Sequence, residues 1–117
     1  MKSDLSEMTA ISKKFRNDRA WRKYHNPKDL AMDICCEAAE VLEHFLWISK
    51  KEIRAMSKEK KKEVADELSD VMNPLLLLAD TLKIDLFESF KDKMKRNSLK
   101  YPVEKVKGKH AKYNKLV

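Results

Sequence analysis

A single glycine, Gly108, serves a chain of 117 residues, and three prolines are the only other strong breakers of regular structure. Tight turns need residues that accept a left-handed backbone. Neither Asn-Gly nor Asp-Gly, the dipeptides that close two-residue hairpins, occurs anywhere. A sheet folded from hairpins has nothing to turn on, so long helices with few connections remain. The recurrent Leu, Lys, Glu, Met and Ala are good helix formers. The chain is therefore expected to be all-α, and its length suits one domain with one core.

Capping residues divide it into four main helices. The first is expected from about Asp4 to Lys23, with Leu5, Met8, Ile11, Phe15 and Ala20 along one side. Asn26 and Pro27 supply a cap and a first helical position for the second, which should run to about Trp47. Ser49 and Glu52 have the spacing of a capping box, opening a short helix through Met56. Ser57 caps a third main helix to about Leu82, and Asp85 opens a fourth ending near Asn97. The remainder, from Lys100 onward, reads as an irregular tail.

No apolar run approaches the length of a membrane span, and the first residues lack the apolar stretch of a secretory signal. Cys35 and Cys36 are adjacent, too constrained to bridge each other, and no second pair completes a zinc set. They read as small buried apolar residues in a reducing, cytoplasmic setting. Charge is uneven: residues 91–117 hold ten Lys/Arg and two Asp/Glu, so the rest of a chain of net charge +7 sums to −1. Such a basic segment is commonly solvated, and it also attracts phosphates.

The chemistry sits beside the core. On the second helix Leu30, Ile34, Ala38, Val41, Leu42 and Phe45 form an apolar face. Glu37 and Glu40 border it, with Asp33 and His44 in the same strip and Trp47 two turns beyond Glu40. The third helix repeats the design: Val64, Leu68, Val71, Leu75, Leu78 and Leu82 form the stripe, flanked by Glu63, Glu67, Asp70 and Pro74. If the apolar faces pack, the strips face one another and Glu37, Glu40, Glu67 and Asp70 converge. A Glu-x-x-Glu spacing by itself is ordinary solvated surface, normally answered by nearby Lys or Arg. Here Lys and Arg are absent from 33–49 and from 63–82. Carboxylates gathered without counterions repel, so a cation should join them, and a hard divalent metal fits an oxygen-only set. His44 would be either a softer ligand or a hydrogen-bonded neighbour.

Glu37-x-x-Glu40 followed by Glu67-x-x-Asp70 resembles the metal signature of the all-α, MazG-like nucleoside triphosphate pyrophosphohydrolases. The stretches RAWRKYHNPKDLAM, FLW and KMKRNSLKYPVEKVKGKHAKY are similar to further blocks of that family, in the same order, and the dCTP pyrophosphatase branch is the nearest type. The resemblance implies a four-helix bundle assembling as a homodimer or tetramer. Residues 1–102 would be the catalytic domain, and 103–117 a basic tail that is part of it or folded over it. It implies hydrolysis of a nucleoside triphosphate, dCTP or a modified nucleotide among the candidates, to monophosphate and pyrophosphate with Mg²⁺, or Mn²⁺ in its place. By motif position Glu37, Glu40, Glu67 and Asp70 would be the metal ligands. Trp21 and Trp47 would flank the base or sugar, with His25 also binding substrate; Lys93, Asn97, Lys100 and Tyr101 would meet the phosphates or close the site. Glu40 is the first choice to position the attacking water and Glu37 the second, with Lys93 and Lys100 offsetting charge on the leaving group.

Two positions depart from the family. Pro74 stands where the type has tyrosine, removing the hydrogen bond to the Asp70 carbonyl at a cost of roughly 3 kcal/mol in a helix interior and usually bending it. Ala20 replaces the acid of an Arg-Asp-Trp block. Both bear on base preference rather than on hydrolysis. Among rival readings, a nucleic-acid-binding module would use the basic segment with Tyr101 and Tyr113 but leaves the acidic strips unexplained. A ferritin-like di-iron bundle needs Glu-x-x-His on two helices, and the third helix has no His. A helical dimer without catalysis would show no nucleotide turnover.

Overall fold

The computed structural model describes residues 4–110 and 112–115. Among them are six α-helices: α1 (Asp4–Asp18), α2 (Pro27–Glu43), α3 (Lys50–Arg54), α4 (Lys58–Thr81), α5 (Leu86–Lys100) and α6 (Val103–Val106). Two 3-10 turns, Arg22–Tyr24 and Tyr113–Lys115, complete them, and no strand appears among the described residues. None of these helices is long and apolar enough to cross a membrane. The chain forms two compact units, residues 1–84 and 85–117.

The caps act where the sequence places them. The Asn26 side chain accepts from the Asp29 N–H at 2.9 Å, with Pro27 opening α2. Ser49 and Glu52 form both arms of a capping box on α3. Ser57 accepts from the Lys60 N–H at 3.1 Å, and Asp85 from the Glu88 N–H at 3.0 Å. Each such cap is worth about 1 kcal/mol.

The helix ends differ from expectation, and the scarcity of glycine is the reason. α1 stops at Asp18 rather than near Lys23. Ala20 turns left-handed at φ 54°, its N–H bonding to Asn17 O at 3.0 Å and the Trp21 N–H to Arg16 O at 3.0 Å. α4 ends by the same device: Lys83 adopts φ 57°, and the Ile84 N–H reaches Ala79 O at 2.8 Å. Both are Schellman turns, whose left-handed position glycine would fill without the 1–2 kcal/mol or so that a Cβ costs there. A non-glycine stop has no sequence signature, so the first helix looks longer than it is.

α2 likewise ends at Glu43, short of Trp47. The N–H groups of His44 and Phe45 bond three residues back, to Val41 O and Leu42 O, tightening the last turn and taking residues 44–47 off the α-helical line. α5 runs on to Lys100, stopping before Tyr101, which Pro102 disfavours as helix. The tail is less irregular than expected: Pro102 opens α6, and Gly108 follows it at φ 79°. Residues 111, 116 and 117 of that tail, and the side chain of Tyr113, lie outside the described residues.

In the first unit α2 packs antiparallel to α4, since His44 meets Lys60 while Glu37 meets Asp70, and α1 packs along α4. The core centres on Leu30, Leu76, Leu77 and Pro74, not on the longer stripe read from sequence; Leu68 and Leu82 are exposed. Helix α4 continues through Pro74, whose ring is itself part of that core. Cys35 and Cys36 are exposed, contrary to expectation. On a wheel of about 100° per residue they fall roughly 120° and 140° from the Leu30–Ile34–Val41 line.

Candidate metal centre

Antiparallel packing of α2 on α4 turns the two acidic strips toward each other. One oxygen each from Glu37, Glu67 and Asp70 lies within 4.8 Å of the others. Glu40, outside that trio, has its side chain in hydrogen-bonding contact with both Glu37 and Glu67. Burial pushes the Glu37 carboxyl up to about 7, reinforced by that contact and by the charges of Glu40, Asp70 and Asp33. The Glu67 carboxyl is raised by its contact with Glu40, by burial and by the Glu40 charge, and His44 partly opposes the rise.

Two oxygens, Glu37 Oε2 and Glu67 Oε2, are buried without a hydrogen-bond partner. Buried polar atoms are normally satisfied, so these two oxygens are candidate donors to a ligand. Among the described residues of the first unit, no Lys or Arg pairs with any of the four carboxylates. Oxygen-only donors, two orphaned oxygens and the raised pKa values of Glu37 and Glu67 fit a hard divalent cation.

Sequence reasoning missed Lys60, two turns before Glu67 on the same face of α4. Its Nζ lies 2.7 Å from His44 Nδ1 and 3.6 Å from Glu63 Oε2. The stretch without basic residues thus has a lysine at its edge, engaged with the histidine rather than with the cluster.

Trp21 is 43% exposed and packs edge-on to Phe15 at 5.8 Å, while the Arg19 guanidinium lies 3.7 Å from the Phe15 ring centroid. This is the apolar contact that commonly accompanies a Schellman turn, so Trp21 has a structural task whatever else it does. His25 is half-buried, with Nδ1 unpartnered. Trp47 lies beyond the end of α2 and is 91% exposed. Lys93, Asn97 and Lys100 are on α5 and Tyr101 caps it, all in the second unit. Tyr101 lines a groove of about 530 Å³ with Val106, Lys109, His110 and Lys112.

A second concavity in the first unit, about 390 Å³, lies between α1 and α4 and is lined mainly by Met8, Ile11, Leu68, Met72 and Leu76. The α4 members point roughly 170° away from Glu67 and Asp70 on the helical wheel. This apolar groove is therefore not part of the acidic centre.

The MazG-like family is matched over residues 32–116. A dCTP pyrophosphatase 1 from Rattus norvegicus is 32% identical over 114 residues, covering 96% of this chain and 67% of that protein. Its counterpart from Bos taurus is 30% identical, covering 96% and 68%. The crystal structure of a pyrophosphatase from Archaeoglobus fulgidus superimposes with a TM-score of 0.80 at 41% identity, covering 87% of this chain and 95% of that one.

Proposed function

The chain belongs to the MazG-like family, and from that premise we propose that it is a nucleoside triphosphate pyrophosphohydrolase, cleaving between the α- and β-phosphorus to give monophosphate and pyrophosphate. The observation that carries this reading is the trio Glu37, Glu67 and Asp70, with oxygens within 4.8 Å of one another and two buried carboxylate oxygens unpartnered. A triphosphate cannot approach four carboxylates without a cation between them. Glu37, Glu40, Glu67 and Asp70 would hold Mg²⁺, or Mn²⁺ in its place. When bound, such an ion neutralises phosphate oxygens and lowers the pKa of a coordinated water.

The chain's own groups do the rest. Glu40 lies outside the closest trio yet touches two of its members, so it accepts a proton from the attacking water, with Glu37 the alternative. The water oxygen bonds to the α-phosphorus, and the bridging oxygen departs with pyrophosphate. Lys93 and Lys100 offset the negative charge on that leaving group, with Asn97 and Tyr101 assisting. Trp21, His25 and Trp47 receive the nucleoside; an aromatic ring as exposed as Trp47 stacks on a base at low entropic cost. The substrate class is the (deoxy)nucleoside triphosphates, dCTP first because the curated relatives carry that name, with modified nucleotides next in a pool-cleansing role. Residues 1–102 would be the catalytic domain, drawing on both compact units, and 103–117 a basic tail that is part of it or folded over it.

The open apolar face on α1 and α4, with Ile11 63% and Leu68 54% exposed, supports association of copies into a dimer or tetramer. Light scattering at the mass of one chain, 13.8 kDa, would remove that part of the proposal.

The test is a panel of nucleoside triphosphates with Mg²⁺ in ¹⁸O-labelled water. Pyrophosphate should be released and the label should appear in the monophosphate. Glu40→Gln should abolish turnover in a protein that still folds. Orthophosphate as the sole product, or label confined to pyrophosphate, overturns the proposed bond cleavage.

A further inference from the structure

His44 stands directly beside the acidic centre without belonging to it. It caps the C-terminus of α2 with its side chain 15% exposed. Its Nδ1 lies 2.7 Å from Lys60 Nζ, near the start of α4. An ammonium group offers three N–H donors and no acceptor, so Nδ1 must accept, and the proton of the neutral ring resides on Nε2.

Nε2 faces Glu67 Oε1 at 3.7 Å. That is longer than a direct hydrogen bond, but it aims the N–H edge of the ring at one carboxylate oxygen. The other oxygen of the same group, Oε2, is the buried atom without a partner. The two oxygens of Glu67 thus have separate surroundings, one turned to the histidine and one left for a cation. With Nδ1 engaged by Lys60 and Nε2 protonated, neither ring nitrogen keeps a lone pair for a metal, which removes the reading of His44 as a softer ligand. Lys60 is itself steadied by Glu63, 3.6 Å from its Nζ.

We propose that His44, held in its Nε2–H form by Lys60, is a positioning residue that orients Glu67 so that Oε2 faces the divalent cation. This rests on the reading of the four carboxylates as a cation site. Outer partners of metal ligands typically contribute about 10–100-fold in metal affinity by fixing ligand orientation.

The experiment is a Mn²⁺ titration of the metal-free protein without nucleotide, following free Mn²⁺ by electron paramagnetic resonance, with ¹⁵N NMR of the His44 ring alongside. The unmodified protein should bind Mn²⁺, and Asp70→Asn should lose it. His44→Leu should weaken binding by about 10–100-fold. His44→Gln, which keeps an N–H donor of similar reach, should recover most of it. Lys60→Met should retain the melting temperature, shift the ring from a single Nε2–H pattern to mixed tautomers, and weaken Mn²⁺ binding by a smaller factor.

Binding by His44→Leu within about twofold of the unmodified protein would overturn the positioning role and leave the cation site standing, since second-sphere losses are an order of magnitude. If His44→Leu does not fold, an unchanged tautomer in Lys60→Met overturns the proposal in its place. Failure of the unmodified protein to bind Mn²⁺, or binding by Asp70→Asn at full strength, would instead sink the cation-site reading, and the role of His44 with it.

Discussion

Helix α5 and the facing flanks of α2 and α4 both carry acidic residues at helical spacing, and they treat them in opposite ways. On α5 both acids are answered within the helix: Glu88 Oε1 lies 2.9 Å from Lys91 Nζ, and Asp92 Oδ2 accepts from Arg96 Nε at 2.9 Å. Between α2 and α4, Glu37, Glu40, Glu67 and Asp70 meet one another, with no Lys or Arg of the first unit paired to them among its described residues. The same contrast occurs within α4 itself. Glu63 and Asp66 pair with Lys60 and Lys62, whereas Glu67 and Asp70, the next acids along, face the cluster. Acid spacing alone therefore carries little information. An acid with a counterion a turn away is surface; Glu37 and Glu67 are half-buried, and no Lys or Arg of the first unit answers them among its described residues.

The largest effect should separate neighbours on a single helix. Asp70→Asn is expected to lower kcat/KM by on the order of 10²–10⁴, the equivalent of several kcal/mol of lost metal-assisted stabilisation. Asp66→Asn, which breaks only the 3.5 Å contact to Lys62, should stay within about twofold. The melting temperature of metal-free Asp70→Asn should not fall, because the substitution removes repulsion rather than attraction. Equal losses in the two variants would erase the distinction between paired and unpaired acids.

How much of this was legible in the sequence depends on where its causes lie. Asn26, Ser49, Ser57 and Asp85 each cap through their own side chains, so the helix starts could be read directly. The stops at Ala20 and Lys83 could not, because a left-handed alanine or lysine is imposed by the path of the next segment rather than announced by residue type. The convergence of the acidic strips was implied by spacing and the missing lysines. The part played by Lys60 was not, since the antiparallel register of α2 on α4 decides which side chain faces His44. Periodicity likewise placed Trp47 in line with Glu40, a position lost when the last turn of α2 tightened.

A second, smaller effect uses pH. The Glu37 carboxyl titrates at about 7 in the folded chain, against 4.5 ordinarily. A folded-state value above the unfolded one means that the folded form holds its proton longer. Stability from this group is full below pH 4.5 and lost as pH rises through 7. Allowing for solvent screening of a half-buried side chain, the loss is about 1–2 kcal/mol. Thermal melts of metal-free protein at pH 5 and pH 8 should show the decline, and Glu37→Gln should flatten it. Added Mg²⁺ should restore stability at the higher pH by binding only the folded form. A decline that persists undiminished in Glu37→Gln would place its source elsewhere and weaken the contrast with α5.

The smallest effect tests the paired side. Asp92→Asn removes the acceptor from the Arg96 pair, whose side chains are 57% and 65% exposed. Exposed pairs four residues apart are worth about 0.3–0.5 kcal/mol, because water already solvates both charges and holding two long side chains costs entropy. The melting temperature should therefore drop by only about 1–3 °C. The difference should vanish at about 1 M salt, where charges are screened within about 3 Å. Mn²⁺ binding should not change at all, since the charge lost already had its counterion. A drop several times larger, or weaker Mn²⁺ binding, would mean that a partner one turn away does not mark an acid as plain surface, and pairing would no longer tell the two regions apart.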